Sequence, residues 1–279
     1  LLARKPLPLN SGFVLALNPD SASVARCAAL GYRVIGRAEG AWDGEGWMAV
    51  SPIEYARALE ARLPLYDLWG VTLPNEPHPG DAQWMADAVR WIHNRWPHLH
   101  ILVGCWGNGW DGFPVFVSGS ALERIVYSVH EYGDPRDPRL IMSGAPYMAL
   151  RHRSWWPSVL AVQPNARMMI GEFGVTQAAA DPAGSDVGWR DTSYPIDAGR
   201  YCASILEYDV AVPGVDKFLF GAGNYPTWES FEILGTPVAE LWVALAEEEP
   251  EVPEYITGPG IVVKAEELGK AVTGEQLTG

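Results

Sequence analysis

The chain is 279 residues long, with 20 Lys and Arg against 34 Asp and Glu and a formal net charge of −14. Apolar residues at 48% and charged residues at 19% are the composition of a globular chain able to bury a large core, and exclude a disordered one. The acidic balance argues against nucleic acid as a partner, because like charge repels the phosphate backbone, and no run of 18 apolar residues is present to span a membrane.

The sequence opens Leu1-Leu2-Ala3-Arg4-Lys5, without Met, and reads as a processed or excised start. The apolar run Phe13–Leu17 predicts a strand. Ser21–Leu30 predicts a helix with a Ser cap after Asn18-Pro19-Asp20 and a stop at Gly31. Tyr32–Gly36 is the next strand. Ser51–Leu63 is the next helix, with proline in its first turn, where the missing N–H costs nothing. After the strand Leu68–Leu73 comes a helix over Asp81–Arg95, which sets Trp84, Ala88 and Trp91 on one face and stops before Pro97. Strands follow at Leu99–Gly104, Ile125–Val129, Met168–Gly171 and Phe218–Phe220, with further helices at Ile196–Tyr208 and Pro237–Glu247. From Glu247 the chain turns acidic and proline-interrupted (Glu247-Glu248-Glu249-Pro250-Glu251). A domain over 1–247 and a tail over 248–279 are therefore expected, the tail holding one short strand at Ile261–Val263.

The strands are continuous apolar runs, as expected of strands covered on both faces, and they alternate with helices. Seven such strands over most of the chain predict a (β/α)8 TIM barrel with an atypical or incomplete first strand. The missing strand is sought upstream of Leu1, near Leu7–Leu9, or at Ile261–Val263. No GxGxxG follows a strand and no GxxxxGK[ST] occurs, which weakens a doubly wound alternative. Cys27, Cys105 and Cys202 lie far apart without metal spacing and read as buried thiols. His93, His98 and His100 read as surface histidines rather than a metal site, and His78 and Asp111 have no partner at ligand spacing.

Two glutamates follow predicted strands directly: Glu76 in Asn75-Glu76-Pro77 and Glu172 in Gly171-Glu172-Phe173-Gly174. In a parallel barrel both stand at the C-terminal strand ends, where the loops build the active site. Two carboxylates in one cleft can divide labour, one neutral as proton donor and one ionised as nucleophile. Glycines on both sides of Glu172 let the backbone bend where a ligand approaches.

This ordered pair of motifs resembles the clan A retaining glycoside hydrolases, most closely the cellulase-like family 5. The resemblance implies that Asn75 and Glu76 close strand 4 and that Glu172 closes strand 7, with Leu99–Gly104 as strand 5, Ile125–Val129 as strand 6 and Phe218–Phe220 as strand 8. It makes Glu76 the general acid/base and Glu172 the nucleophile. His130-Glu131-Tyr132, after strand 6, matches the His-x-Tyr that such enzymes place beside the nucleophile. Tyr132 would then donate to Glu172 and keep it ionised, while His130 contacts a sugar hydroxyl or sets the protonation of Glu76. Asn75 would address the 2-hydroxyl. Arg37 takes the place of the family's early arginine, although pairing with Glu39 or Asp43 is its alternative.

Thirteen tryptophans suit the flat C–H faces of sugar rings as well as they suit a core. Trp106 and Trp110 flank a turn after strand 5 and read as a sugar platform. Trp228 stands in for the tryptophan that strand 8 lacks. Trp155-Trp156 and Trp42/Trp47 read as loop residues extending the cleft, and Trp69, Trp84, Trp91, Trp96 and Trp242 as core. The expected partner is a carbohydrate, with no cofactor and no metal. The expected reaction is retaining hydrolysis of a β-linked oligo- or polysaccharide, and secretion goes with that resemblance. The alternative is a barrel that binds carbohydrate without turning it over.

Overall fold

A computed structural model describes residues 13–38, 50–74, 81–106, 119–133, 152–176, 188–190, 215–219, 230–231, 236–240, 255–258 and 261–264. Seven strands lie side by side in chain order: β1 (Phe13–Leu17), β2 (Arg33–Arg37), β3 (Gly70–Thr72), β4 (His100–Trp106), β5 (Ile125–Gly133), β6 (Arg167–Val175) and β7 (Val215–Leu219). Every pairing between neighbours is parallel. Helices α1 (Ser21–Ala29), α2 (Pro52–Arg62), α3 (Ala82–Arg95) and α4 (His152–Val162) make crossovers between strands. Sequential parallel strands joined by helices are the winding of a (β/α)8 barrel.

The local chemistry explains the helices. Asp20, not Ser21, caps α1, its carboxylate accepting from the Ser23 amide at 2.6 Å. Ser51 and Glu54 form a reciprocal capping box at the start of α2, with Pro52 in the first turn. Helix α3 buries Met85, Ala86, Ala88, Val89 and Ile92, whereas Trp84 and Trp91 are only partly buried at its margin. The stripe facing the sheet is thus aliphatic, and the tryptophans flank it. The expected loop at Trp155-Trp156 is a correction: both belong to α4, and Trp156 is buried edge-on against Tyr127. Pro157, inside that helix, is what gives the segment its loop-like reading.

Two apolar clusters separate the faces of the sheet. Val34, Val71, Ile101, Val103, Ile125, Tyr127, Met168 and Ile170 pack with helical residues such as Leu59, Met85 and Ile92. Their strand neighbours Ile35, Leu102, Val126 and Met169 form a second cluster with Phe13, Leu15 and Trp69 around it. Successive residues point to opposite faces, so the second cluster is the barrel interior. Below it the interior turns basic and aromatic. Trp69 stacks on His100 with ring centroids 3.9 Å apart, and Phe13 meets Trp69 edge-on at 4.6 Å. The Arg167 guanidinium lies 5.5 Å from the Trp69 centroid and that of Arg33 lies 4.7 Å from the Phe13 centroid. His100 is thus an interior residue rather than a surface one. Burial first, then the charges of Arg124, Arg167 and Arg33, push its imidazole down to about 4.

Among the described residues the barrel does not close. Among the described residues no pairing joins β1 to β7, and β1 is only half-buried, with Leu17 exposed. Ile261–Val263 does not fill the gap: it belongs to β9 (Ile261–Lys264), which pairs antiparallel with β8 (Tyr255–Gly258) in a separate sheet. Leu7–Leu9 and the helix expected over Ile196–Tyr208 lie outside the described residues, and Pro237–Glu247 is described only to residue 240. No helix among the described residues is long and apolar enough to cross a membrane.

Candidate active site

The site is built at the C-terminal ends of β2, β5 and β6. In the parallel register Leu15 pairs with Ile35 and Leu17 with Arg37, so Arg37 shares the interior face with Ile35. On β5 the interior face carries Val126 and then, at the same alternation, Ser128, His130 and Tyr132. Glu131 lies between the last two on the opposite face and is fully buried.

Glu172 needs one more device. It lies three residues beyond the interior Met169, an odd step that would aim it at the helices. The register slips here: Val129 pairs with Ile170, but His130 pairs with Glu172, leaving Gly171 as the extra residue of a bulge. The bulge turns Glu172 inward. Only glycine fits at the bulge, since a Cβ on residue 171 would stand 2.5 Å from the Ser128 hydroxyl oxygen. A similar slip in β4, between Val103 and Trp106, includes Gly104 at φ 95°, a conformation that favours glycine.

Both Glu172 carboxylate oxygens are held. Arg37 Nη1 donates to Oε1 at 2.8 Å, and the Tyr132 hydroxyl donates to Oε2 at 2.5 Å. His130 Nδ1 lies 3.5 Å from Oε2. The Tyr132 ring is steadied by the buried Phe231, edge-on at 6.2 Å. Glu172 and Arg37 are nearly buried, with side chains 13% and 15% exposed. Burial alone would raise the carboxyl. The charges of His130 and Arg37, with the hydrogen bonds from Tyr132 and Arg37, outweigh it and hold Glu172 below the usual carboxylate range.

The Arg37 bond also measures the curl of the sheet. Strands β2 and β6 are four positions apart, about 19 Å on a flat sheet at ~4.8 Å per strand, beyond the joint reach of the two side chains. The sheet bends round until its second and sixth strands face each other across an opening.

The structure thus brings together Arg37, His130, Tyr132 and Glu172. Arg37 bonds Glu172 rather than only an acid of its own loop, and His130 lies against Glu172. Asn75, Glu76 and Trp228 lie outside the described residues; the described chain leaves β3 through Pro74 on the rim that carries Arg37 and Glu172. Trp106 is the last residue of β4, and Trp110 and the turn between them lie outside the described residues. Three contributors escape the sequence reading: the Gly171 bulge, the fully buried Ser128 beneath it, and Phe231. Only the glycines beside Glu172 hinted at the first, and nothing in the sequence marks Phe231. Among the described residues no group of three His, Cys, Asp or Glu is placed to hold a metal ion.

No protein-family model matches the chain, and no curated protein matches its sequence. Solved structures do. The chain is similar to the endoglucanase Cel5A of Pseudomonas stutzeri in complex with cellobiose, at 16% identity over 81% of this chain and 71% of that one, with a TM-score of 0.51. It is also similar to a GH5-4 broad specificity endoglucanase from an uncultured bacterium, at 11% identity over 84% of this chain and 80% of that one, with a TM-score of 0.50. At such identities the likeness establishes the fold, an incomplete (β/α)8 barrel.

Proposed function

We propose that the chain is a retaining glycoside hydrolase acting on a β-linked oligo- or polysaccharide, with Glu172 as nucleophile and Glu76 as general acid/base. The observation that carries this reading is the Glu172 carboxylate, nearly buried at a barrel mouth yet held ionised by Arg37, Tyr132 and His130. A structural carboxylate needs no such convergence of donors on an open rim, whereas a nucleophile must be both aimed and deprotonated. The endoglucanase folds above support the substrate class.

In this mechanism one Glu172 oxygen attacks the anomeric carbon while Glu76 gives its proton to the departing glycosidic oxygen. The sugar becomes an ester of Glu172. Glu76, now a carboxylate, takes a proton from water, whose oxygen displaces the ester and restores both groups. Tyr132 and Arg37 orient the attacking carboxylate. Asn75 addresses the 2-hydroxyl, and Trp106 and Trp228 offer stacking faces to the sugar.

Incubation with a 2-fluoro glycoside bearing an activated leaving group tests the assignment. The expected result is one sugar mass added to the intact protein, on the peptide carrying Glu172. Glu172→Gln abolishes both labelling and hydrolysis. Glu76→Ala spares substrates whose leaving group needs no proton. Absence of an adduct across glucosides, mannosides and xylosides, with sugar binding retained, would identify a non-catalytic carbohydrate binder instead.

A further inference from the structure

The far end of the barrel carries a second cluster of charge. By the strand alternation its interior face carries Phe13 on β1, Arg33 on β2, Trp69 before β3, His100 on β4, Arg124 before β5 and Arg167 on β6, with Arg33 exposed at the barrel's end and His100, Arg124 and Arg167 partly buried. Barrel interiors are ordinarily filled with branched aliphatic side chains, as they are one layer higher here at Ile35, Leu102 and Val126. Arg33 and Arg167 rest on aromatic faces, an arrangement that leaves guanidinium N–H edges free to donate.

Among the described residues none of the three arginines forms an ion pair, although the chain has 34 acidic residues against 20 basic ones. The His100 Nδ1 atom is buried and has no hydrogen-bond partner among the described residues. Like charges gathered around an unpartnered buried nitrogen repel one another unless an anion shares the space.

We propose that this floor is a binding site for a small oxyanion, the phosphate or carboxylate group of a ligand, held by Arg33, Arg124 and Arg167. It lies at the opposite end of the strands from Glu172 and does not depend on the catalytic reading. Guanidinium forks match the paired oxygens of both anions, and the aromatic faces keep the forks in place.

The test titrates the full chain with inorganic phosphate, and separately with acetate, at an ionic strength held constant with chloride. It reads heat and the imidazole resonances of His100. The expected result is one saturable site, with the His100 signals moving along the same curve. Whichever anion saturates at the lower concentration identifies the ligand group. Arg33→Gln and Arg167→Gln each weaken binding about tenfold, the loss of one charge-assisted contact. Arg90→Gln, which alters an arginine already paired with Asp87 on α3, leaves binding unchanged. Arg33→Lys and Arg167→Lys keep the charge and show whether the fold survives substitution there. The proposal is overturned if neither anion saturates with wild-type protein, if the His100 signals stay still, or if Arg90→Gln weakens binding as much as the floor substitutions do.

Discussion

Tyr132 and Arg37 hold different oxygens of one carboxylate, so their loss has separable effects. Tyr132→Phe removes a donor that favours the ionised Glu172 and leaves the ring against Phe231 in place. The carboxyl then titrates at higher pH, so the acid limb of kcat/KM moves upward and the rate on the plateau falls about 10- to 100-fold, the worth of a hydrogen bond to a charged group. A pH–rate profile of the variant beside wild type checks both; an unmoved acid limb would mean that Tyr132 does not govern Glu172. Arg37→Gln is the harsher change, because it leaves a nearly buried carboxylate without its cation, and a stability loss of about 3 kcal/mol is expected by urea unfolding. The His-x-Tyr pair and both glutamates stand out in the sequence as polar residues at the ends of apolar runs. Arg37 bonding Glu172 could not be read there, because 135 residues separate the two and only the curl of the sheet joins them.

At the scale of single elements, β6 is the least obvious from sequence. Its apolar run suggested four residues, whereas the strand covers Arg167–Val175 and continues through the glutamate itself. Alternation predicts the wrong face for Glu172, and the bulge corrects it. Gly171→Ala therefore destabilises the protein by about 1–3 kcal/mol through overpacking against Ser128 and impairs activity by displacing Glu172. The double variant with Ser128→Ala recovers part of both losses, and a double-mutant cycle on thermal and kinetic data measures how much. The capping box of α2, by contrast, was plain from Ser51, Pro52 and Glu54. Ser51→Ala costs about 1 kcal/mol of stability, readable in a urea titration, with no change in rate. Helix α4 was hidden because Pro157 outweighed its apolar pattern.

For the whole molecule, period and order carried the architecture: apolar runs separated by capped helices leave few topologies besides a parallel barrel. The floor was not visible, because Arg33, His100, Arg124 and Arg167 are scattered singly along four segments and meet only when the sheet curls. That floor gives the protein an acid weakness. His100 is depressed to about 4 when folded and returns to about 6.5 when unfolded, so the unfolded chain binds the extra proton between those values. Stability is full above about pH 6.5 and falls as pH drops toward 4, by about 1–2 kcal/mol once the partial exposure of the ring is allowed for. Glu172, depressed from the carboxylate range, adds a loss below its own ordinary value. His100→Gln flattens the upper part of this profile in urea titrations across pH and leaves the lower part unchanged.

The Arg37–Glu172 bond is a strap between opposite walls of a tube whose described strands form no pairing that closes it. In the proposed reaction, the same oxygens that fasten the strap become part of a neutral ester, which has no charge to offer the guanidinium. Each turnover thus unbuckles the mouth when the sugar attaches and buckles it again when water releases the sugar. The trapped covalent form should accordingly exchange the amides of β2 faster than the resting protein does, making the loosest state of the molecule the one that holds its cargo most firmly.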